Sequence, residues 1–196
     1  MTRIIAGAAG GTRLDVPGQG TRPTSDRVRE SLFGALESMD AIDVARVLDL
    51  YAGSGALGLE ALSRGARSAV LVERGRPAAA VIRRNATAVR KALGTSTDRG
   101  AGAREPIVVE SAVHAYLARA TGPFDLVFTD PPYDLSDADM TADLVAVAPL
   151  LSSDAVVVIE RARRASPPDL DAAGLSLIRE RSYGDTALWW AEPSAR

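Results

Sequence analysis

A chain of 196 residues, 46% hydrophobic and 24% charged, is enough for one sizeable core and is on the long side for one domain. No stretch approaches the roughly 18 uninterrupted apolar residues of a membrane span, and the opening "MTRIIAGAAGG" has too short an apolar run for a secretory signal. Cysteine is absent, which excludes disulfides, thiolate metal sites and cysteine nucleophiles and points to a cytoplasmic home, while a net charge of −2 does not mark the whole chain as a nucleic-acid binder.

In chain order, Ile4-Ile5 and Leu14–Val16 flank Gly10-Gly11 and predict a β-hairpin. In "TRPTSDRVRESLFGALESM", Pro23 marks a helix start, Ser25 or Asp26 can cap it, and Val28, Leu32, Phe33 and Leu36 form its apolar face. From Arg46 the texture turns to strand–helix alternation. "RVLDLY", "SAVLVE", "PIVVE", "FDLVFTD" and "AVVVIE" read as strands, and "ALGLEALSRG", "RPAAAVIRRNATAVRKALG", "AVHAYLARAT" and "MTADLVAVAPLL" as the helices between them. Repeated βα units predict a parallel sheet with helices on both faces. The closing hairpin "LSLIRERSYGDTALWWAE", turning at Gly184-Asp185, places an antiparallel strand at one edge. Residues 94–105, "GTSTDRGAGARE", predict a mobile connection. The expected architecture is α/β: a doubly wound, seven-stranded, mostly parallel Rossmann-like sheet over residues 46–196. Residues 1–45 form an N-terminal hairpin and helix extension.

Nearly all the positive charge is arginine, with Lys91 the only lysine. Arginine binds phosphate through a planar fork and stacks on bases. Arg3, Arg13, Arg22, Arg27 and Arg29 crowd the first thirty residues, opposed only by Asp15, Asp26 and Glu30. Arg161, Arg163 and Arg164 form a second cluster after the fifth strand. Arg83, Arg84, Arg90 and Lys91 read as the solvated face of a helix. His114 reads as structural, and Trp189-Trp190 as packing.

"DLYAGSGALGLE" carries Gly53, Gly55 and Gly58 in a G-x-G-x-x-G pattern that leaves a strand and opens a helix. Glu73 ends the next strand about twenty residues on, where a carboxylate can accept from both ribose hydroxyls of an adenosine cofactor. A dinucleotide would lay its pyrophosphate on the helix N-terminus. S-adenosylmethionine has no phosphate and carries a positive sulfonium. Asp49, one turn before the glycines, favours the cation.

Residues 130–133 read "DPPY". Proline lacks an N–H and has a fixed φ, and a residue before proline is pushed to an extended conformation. Asp130-Pro131-Pro132 is therefore a stiff corner stripped of donors and rich in acceptors. It suits a substrate NH2 group, whose hydrogens reach the Asp130 carboxylate and the Pro131 carbonyl. The amine lone pair then turns toward an electrophile, and Tyr133 supplies a flat face for a base. In a doubly wound sheet this corner and the glycine loop face one crevice. Direct methyl transfer from S-adenosylmethionine needs no metal and no covalent intermediate. A base would have to be unpaired or flipped out to reach the corner.

The combination "DLYAGSGALGLE" and "DPPY" resembles amino-directed, S-adenosylmethionine-dependent methyltransferases. "RIIAGAAGGTRLDVP" followed by "RPTSDRVRESLFGAL" is similar to the opening of the bacterial 16S ribosomal RNA guanine-N2 methyltransferases that modify guanine 966. That resemblance implies a catalytic corner of Asp130, Pro131, Pro132 and Tyr133. It implies a cofactor site of Asp49, Tyr51, Ala52, Gly53, Ser54, Gly55, Glu73, Arg74, Ser111 and Ala112. It implies RNA contacts from Arg3, Arg13, Arg22, Arg27, Arg29, Arg161 and Arg163, with "RPTSDRVRE" covering the methionine end of the cofactor. The implied partner is 16S rRNA in the small ribosomal subunit or its assembly intermediate, met by a monomer. Competing readings are an amino methyltransferase acting on DNA adenine or protein glutamine, and a non-catalytic RNA-binding assembly factor. Cytosine C5 methylation is disfavoured, because its nucleophile is a cysteine.

Overall fold

A computed structural model describes residues 2–18, 26–94 and 105–195. A hairpin of β1 (Thr2–Arg3) and β2 (Arg13–Leu14) precedes helix α1 (Asp26–Ser38). There follow β3 (Arg46–Leu50), α2 (Ala56–Arg64), β4 (Ser68–Glu73), α3 (Arg76–Leu93), β5 (Glu105–Glu110), α4 (Val113–Leu117), β6 (Phe124–Thr129), α5 (Asp137–Val147), β7 (Leu151–Ala162), β8 (Leu175–Tyr183) and β9 (Thr186–Pro193). The last seven strands to form make one sheet in the order β5-β4-β3-β6-β7-β9-β8. The first five of that order run parallel, and β9 is antiparallel to both of its neighbours. Pro23, Ser25 and most of the 94–105 connection lie outside the described residues.

The edge expectation needs correction. The antiparallel strand β9 lies inside the sheet, and β8 forms the edge. Composition explains the order. β9 carries "ALWWA", buried on both faces, whereas the middle of β8 carries "SLIRERS", mostly exposed. A strand that is apolar on both sides takes the covered place, and a charged one guards the edge. Trp189 and Trp190 are both buried, one on each face of the sheet. Trp190 packs with the α1–α3 layer, and Trp189 with the layer of α4 and α5.

The hairpin is shorter than its alternation suggests: its strands pair Thr2 with Leu14 and Arg3 with Arg13, and Ile4 closes it by donating to the Thr12 carbonyl and accepting from Gly11 N, each at 2.9 Å. Side chains of the main body capture the amides that would extend it. Ile5 N and Ala6 N donate to the two Glu60 carboxylate oxygens, at 2.7 and 3.0 Å. Asp15 N donates to Asn85 Oδ1 at 2.8 Å. Gly7, at φ 83°, lies so close to α2 that a Cβ there would sit 2.1 Å from the Ser63 carbonyl oxygen. Only glycine fits. Ile4, Ala9 and Leu14 share one core cluster with Phe33, Leu59, Leu62 and Phe128.

Glu60 is fully buried and is the hub of this docking. Besides the two amides it accepts from Arg64 Nε at 2.8 Å and lies 3.9 Å from Arg29 Nη1. Removing one partner of a buried ion network leaves uncompensated charge and unmade hydrogen bonds. Glu60→Ala is therefore expected to cost about 3–5 kcal/mol. Urea unfolding measures it, and a loss below about 1 kcal/mol would contradict the assigned role.

Candidate active site

Four adjacent parallel strands are in register at one level. Leu50 of β3 pairs with Val72 of β4 on one side and Thr129 of β6 on the other, and Thr129 pairs with Ile159 of β7. One residue further along each strand stand Glu73, Tyr51, Asp130 and Glu160. The glycine loop therefore begins directly beside the Asp-Pro-Pro-Tyr corner, at the carboxyl ends where doubly wound sheets bind ligands.

The glycine loop is held from several directions. Tyr51 takes φ 61°, Gly53 φ 57° and Gly55 φ 77°, a run of left-handed backbone that turns the chain sharply into α2. Asp49 is 1% exposed, and its Oδ2 accepts from Gly58 N at 2.9 Å. A Cβ on Gly58 would stand 3.1 Å from that oxygen. A Cβ on Gly55 would stand 3.0 Å from Ile82 and Leu71. Glu73 Oε2 accepts from Gly53 N at 3.1 Å, and Oε1 from Gly75 N at 2.7 Å, which sets its carboxylate across the mouth of the loop. Asn85 Nδ2 donates to the Ser54 carbonyl at 2.9 Å. The Tyr51 hydroxyl donates to Asp143 Oδ2 on α5. Burial, and then that bond, push the phenol up.

At the corner, Pro131 is buried while Pro132 and Tyr133 are exposed, Tyr133 by 58%. Pro132 O accepts from Leu135 N, and Ser136 Oγ then caps α5 by accepting from Asp139 N at 3.0 Å. Burial raises the Asp130 carboxyl well above the usual range, and the charges of Glu160 and Asp49 raise it further. Burial likewise lifts Asp49 to about 7, opposed by the Gly58 N–H and reinforced by Glu73. Four carboxylates thus converge at this end of the sheet. Such a cluster suits a cation or a hydrogen-bond donor.

Ser111 stands beside Glu73, its N–H donating to the Glu73 carbonyl at 3.0 Å. Its hydroxyl turns onto the Ala112 carbonyl at 3.1 Å. Ala52 N donates to the Val72 carbonyl, and Arg74 is exposed at the rim. Of the arginines, Arg3, Arg13, Arg27 and Arg163 are exposed, and Arg22 lies outside the described residues. Two others need correction as RNA contacts. Arg29 is 1% exposed and donates inward to Thr2 Oγ1, the Arg3 carbonyl and Asp26 Oδ1 at 2.7–2.8 Å. Arg161 is buried, with Nη1 on Asp137 Oδ1 at 2.7 Å. Both guanidiniums are engaged in holding elements together, so neither faces solvent.

Sequence reasoning passed over Glu160, Asn85 and Asp143. Glu160 closes an apolar strand just as Glu73 does, which was a usable signal. Asn85 interrupts the buried stripe of Ile82, Ala86 and Val89, another usable signal. Nothing local marks Asp143.

This sheet order, with a glycine loop after its central strand and acids closing the neighbouring ones, defines the Rossmann-like α/β fold of S-adenosylmethionine-dependent methyltransferases. Residues 2–192 match the family model described as Conserved hypothetical protein 95, and the chain belongs to that family. It is 38% identical to Ribosomal RNA small subunit methyltransferase D of Escherichia coli over 186 residues, 94% of this chain and 86% of that one. The solved structure of yhhF from Escherichia coli superposes with a TM-score of 0.79 at 34% identity, covering 100% of this chain and 99% of the other. Magnesium protoporphyrin IX methyltransferase from Synechocystis PCC 6803, solved with bound SAH, shares the fold at 15% identity and a TM-score of 0.67, over 86% and 83% of the two chains.

The raised Asp49 carboxyl has a consequence for stability. Its folded value, about 7, lies above the ordinary 3.8, so the folded protein holds the proton more tightly than the unfolded chain. Its contribution is complete below pH about 4 and is lost as pH rises through about 7. Asp49→Asn keeps an acceptor for Gly58 N and is expected to flatten this decline. Denaturant midpoints between pH 5 and 8 measure it, and parallel profiles for the two proteins would contradict the assignment.

Proposed function

We propose that the protein transfers a methyl group from S-adenosylmethionine to the exocyclic N2 amine of a guanine in 16S rRNA, guanine 966 by its N-terminal motifs. The observation that carries this reading is the adjacency of the glycine loop and the Asp130 corner on paired strands β3 and β6. The Escherichia coli relative's name, a small subunit rRNA methyltransferase, supports RNA as the substrate.

S-adenosylmethionine supplies an electrophilic methyl on a positive sulfonium. The residues present fit it: tight glycine backbone, a carboxylate in Glu73 suited to ribose hydroxyls, and the buried acid Asp49 suited to a cation. Asp130 and the Pro131 carbonyl accept from the guanine NH2 and turn its lone pair toward the methyl. With S-adenosylmethionine held by the glycine loop and Glu73, its methyl would pass to the amine nitrogen in line, leaving the sulfur as a neutral thioether, and positioning by these residues would supply much of the rate. Positive charge grows on the amine nitrogen. Asp130 stabilises that charge and receives the proton released. The exposed Tyr133 ring offers a stacking face for the base.

Exposed Arg3, Arg13, Arg27 and Arg163 supply phosphate contacts on this reading, and residues 1–45 act as RNA grip and cofactor cover. No inserted base-reading domain interrupts the sheet connections among the described residues, so context comes from assembled small-subunit RNA. The chain works as a cytoplasmic monomer.

Asp130→Asn is expected to lower methyl transfer to small subunits by roughly 10²–10⁴-fold while S-adenosylhomocysteine still binds. The assay uses subunits from a strain lacking this gene and nucleoside analysis for N2-methylguanosine. Product in DNA or on protein glutamine would overturn the RNA assignment, and equal activity on naked RNA would overturn the subunit context.

A second expectation concerns protons. A sulfonium favours ionised Asp49 and Asp130, whose carboxyls burial holds above their usual range. Near pH 7, S-adenosylmethionine binding therefore releases protons, and binding of the neutral S-adenosylhomocysteine releases fewer. Calorimetry in buffers of different ionisation enthalpy separates the two. Equal release for both ligands would remove the carboxylates from the cation site.

A further inference from the structure

Asn85 joins the glycine loop to the N-terminal extension. It lies on α3, 3% exposed. Its Nδ2 donates to the Ser54 carbonyl and to the Asp15 carbonyl, each at 2.9 Å, and its Oδ1 accepts from Asp15 N at 2.8 Å. Every one of these partners is a main-chain atom. A primary amide is the side chain that offers two donors and an acceptor in one plane. A carboxylate there would turn acceptors toward two carbonyl oxygens, and an aliphatic side chain would leave all three groups unmet.

The two stretches it holds have distinct duties. Ser54 sits between Gly53 and Gly55, both at positive φ, where the backbone has the most freedom to move. Asp15 follows β2 at the exit of the hairpin. Among the described residues its own side chain makes an exposed ion pair, to Arg84 at 3.2 Å. The neighbours of Asn85 on its helix face, Ile82, Ala86 and Val89, are all core residues. A fourth apolar residue would continue that stripe without the cost of burying an amide. The polar choice matches the two main-chain segments it meets.

We propose that Asn85 is a positioning residue for cofactor binding, one that fastens the glycine loop and the exit of the N-terminal hairpin to α3 as a single unit. The inference rests on the reading of the glycine loop as the S-adenosylmethionine site. Asn85 touches no reacting atom, so it acts through Ser54. Its loss weakens the resting and activated complexes alike, and the effect falls on KM for S-adenosylmethionine with kcat nearly kept. The fastening also ties the two segments thermodynamically. Cofactor that steadies Ser54 steadies Asp15 through the same side chain.

The test uses the full chain and S-adenosylhomocysteine as the probe. Asn85→Asp preserves shape and removes both donors, and Asp15→Ala preserves every main-chain partner. Calorimetry is expected to show affinity lower by roughly tenfold to a hundredfold for Asn85→Asp, the loss of two hydrogen bonds, and unchanged within about twofold for Asp15→Ala. Methylation assays are expected to show the matching rise in KM. In the unaltered protein, amide hydrogen exchange at Asp15 should slow when S-adenosylhomocysteine saturates the site. A folded Asn85→Asp that binds as well as the parent overturns the inference, as does one that loses kcat with KM kept. If Asn85→Asp fails to fold, the exchange experiment decides, and an Asp15 amide indifferent to ligand overturns it. An unaltered protein that binds no S-adenosylhomocysteine removes the cofactor reading itself, and this inference with it. Binding in the parent with no change in the variant removes the inference alone.

Discussion

The structure depends on one constraint: parallel strands bring their carboxyl ends to the same level, and here those ends are acids. Glu73, Asp130 and Glu160 stand at one level of strands whose pairing is fixed residue by residue, with Asp49 two residues below it. Register alone therefore concentrates negative charge at one rim. The opposite end of the same strands shows what ordinary stabilisation looks like. There Asp125 of β6 takes two hydrogen bonds from the Arg46 guanidinium of β3, at 2.9 Å each, and its carboxyl falls to about 2. Asp49 and Asp130 move the other way, Asp49 to about 7. A fold gains nothing from burying like charges together, and perturbed acids in a crevice mark a functional site.

Everything around the rim serves to hold it still. Tyr51 is anchored by Asp143, Ser54 by Asn85 and Gly58 by Asp49, so the glycine loop is fixed from α5, α3 and β3. Tyr51 and Asp143 also connect the loop to the helix that follows the Asp-Pro-Pro-Tyr corner. Support of this kind, side chains fixing a loop from several directions, is what in-line transfer demands, because small misplacements are costly. The N-terminal extension belongs to the same body. Glu60 holds its backbone, Arg29 ties β1 to α1, and Ser31 meets Tyr183 Oη at 2.7 Å across to the sheet edge.

Most of the central fold was legible because buried parallel strands are short apolar runs and their helices have a strong period. The glycine loop and the corner were legible because each breaks that pattern with residues that serve the backbone poorly. The order of β8 and β9 was not, since strand adjacency is a global outcome, although the contrast between "ALWWA" and "RERS" pointed to it. Arg29 was misread through composition. Its spacing to Leu32, Phe33 and Leu36 places it on the buried face of α1, and that pattern outranks its charge. Arg161 could not be read locally, because its partner Asp137 lies 24 residues away. Residues 19–25 carry several of the motif positions and fall outside the described structure.

The charge layout constrains how a nucleic acid can approach. The rim is acidic. Exposed Arg3, Arg13 and Arg27 lie on the hairpin and the start of α1, while exposed Arg74 and Arg163 follow β4 and β7 at the rim's own end of the sheet. Like charge repels phosphate from ionised acids, and opposite charge draws it to arginine. An uncharged donor edge suits an acidic rim, and the amine face of an extruded or unpaired base is such an edge. The buried arginines Arg29 and Arg161 add nothing to either side of that balance, because Asp26 and Asp137 hold them within the fold.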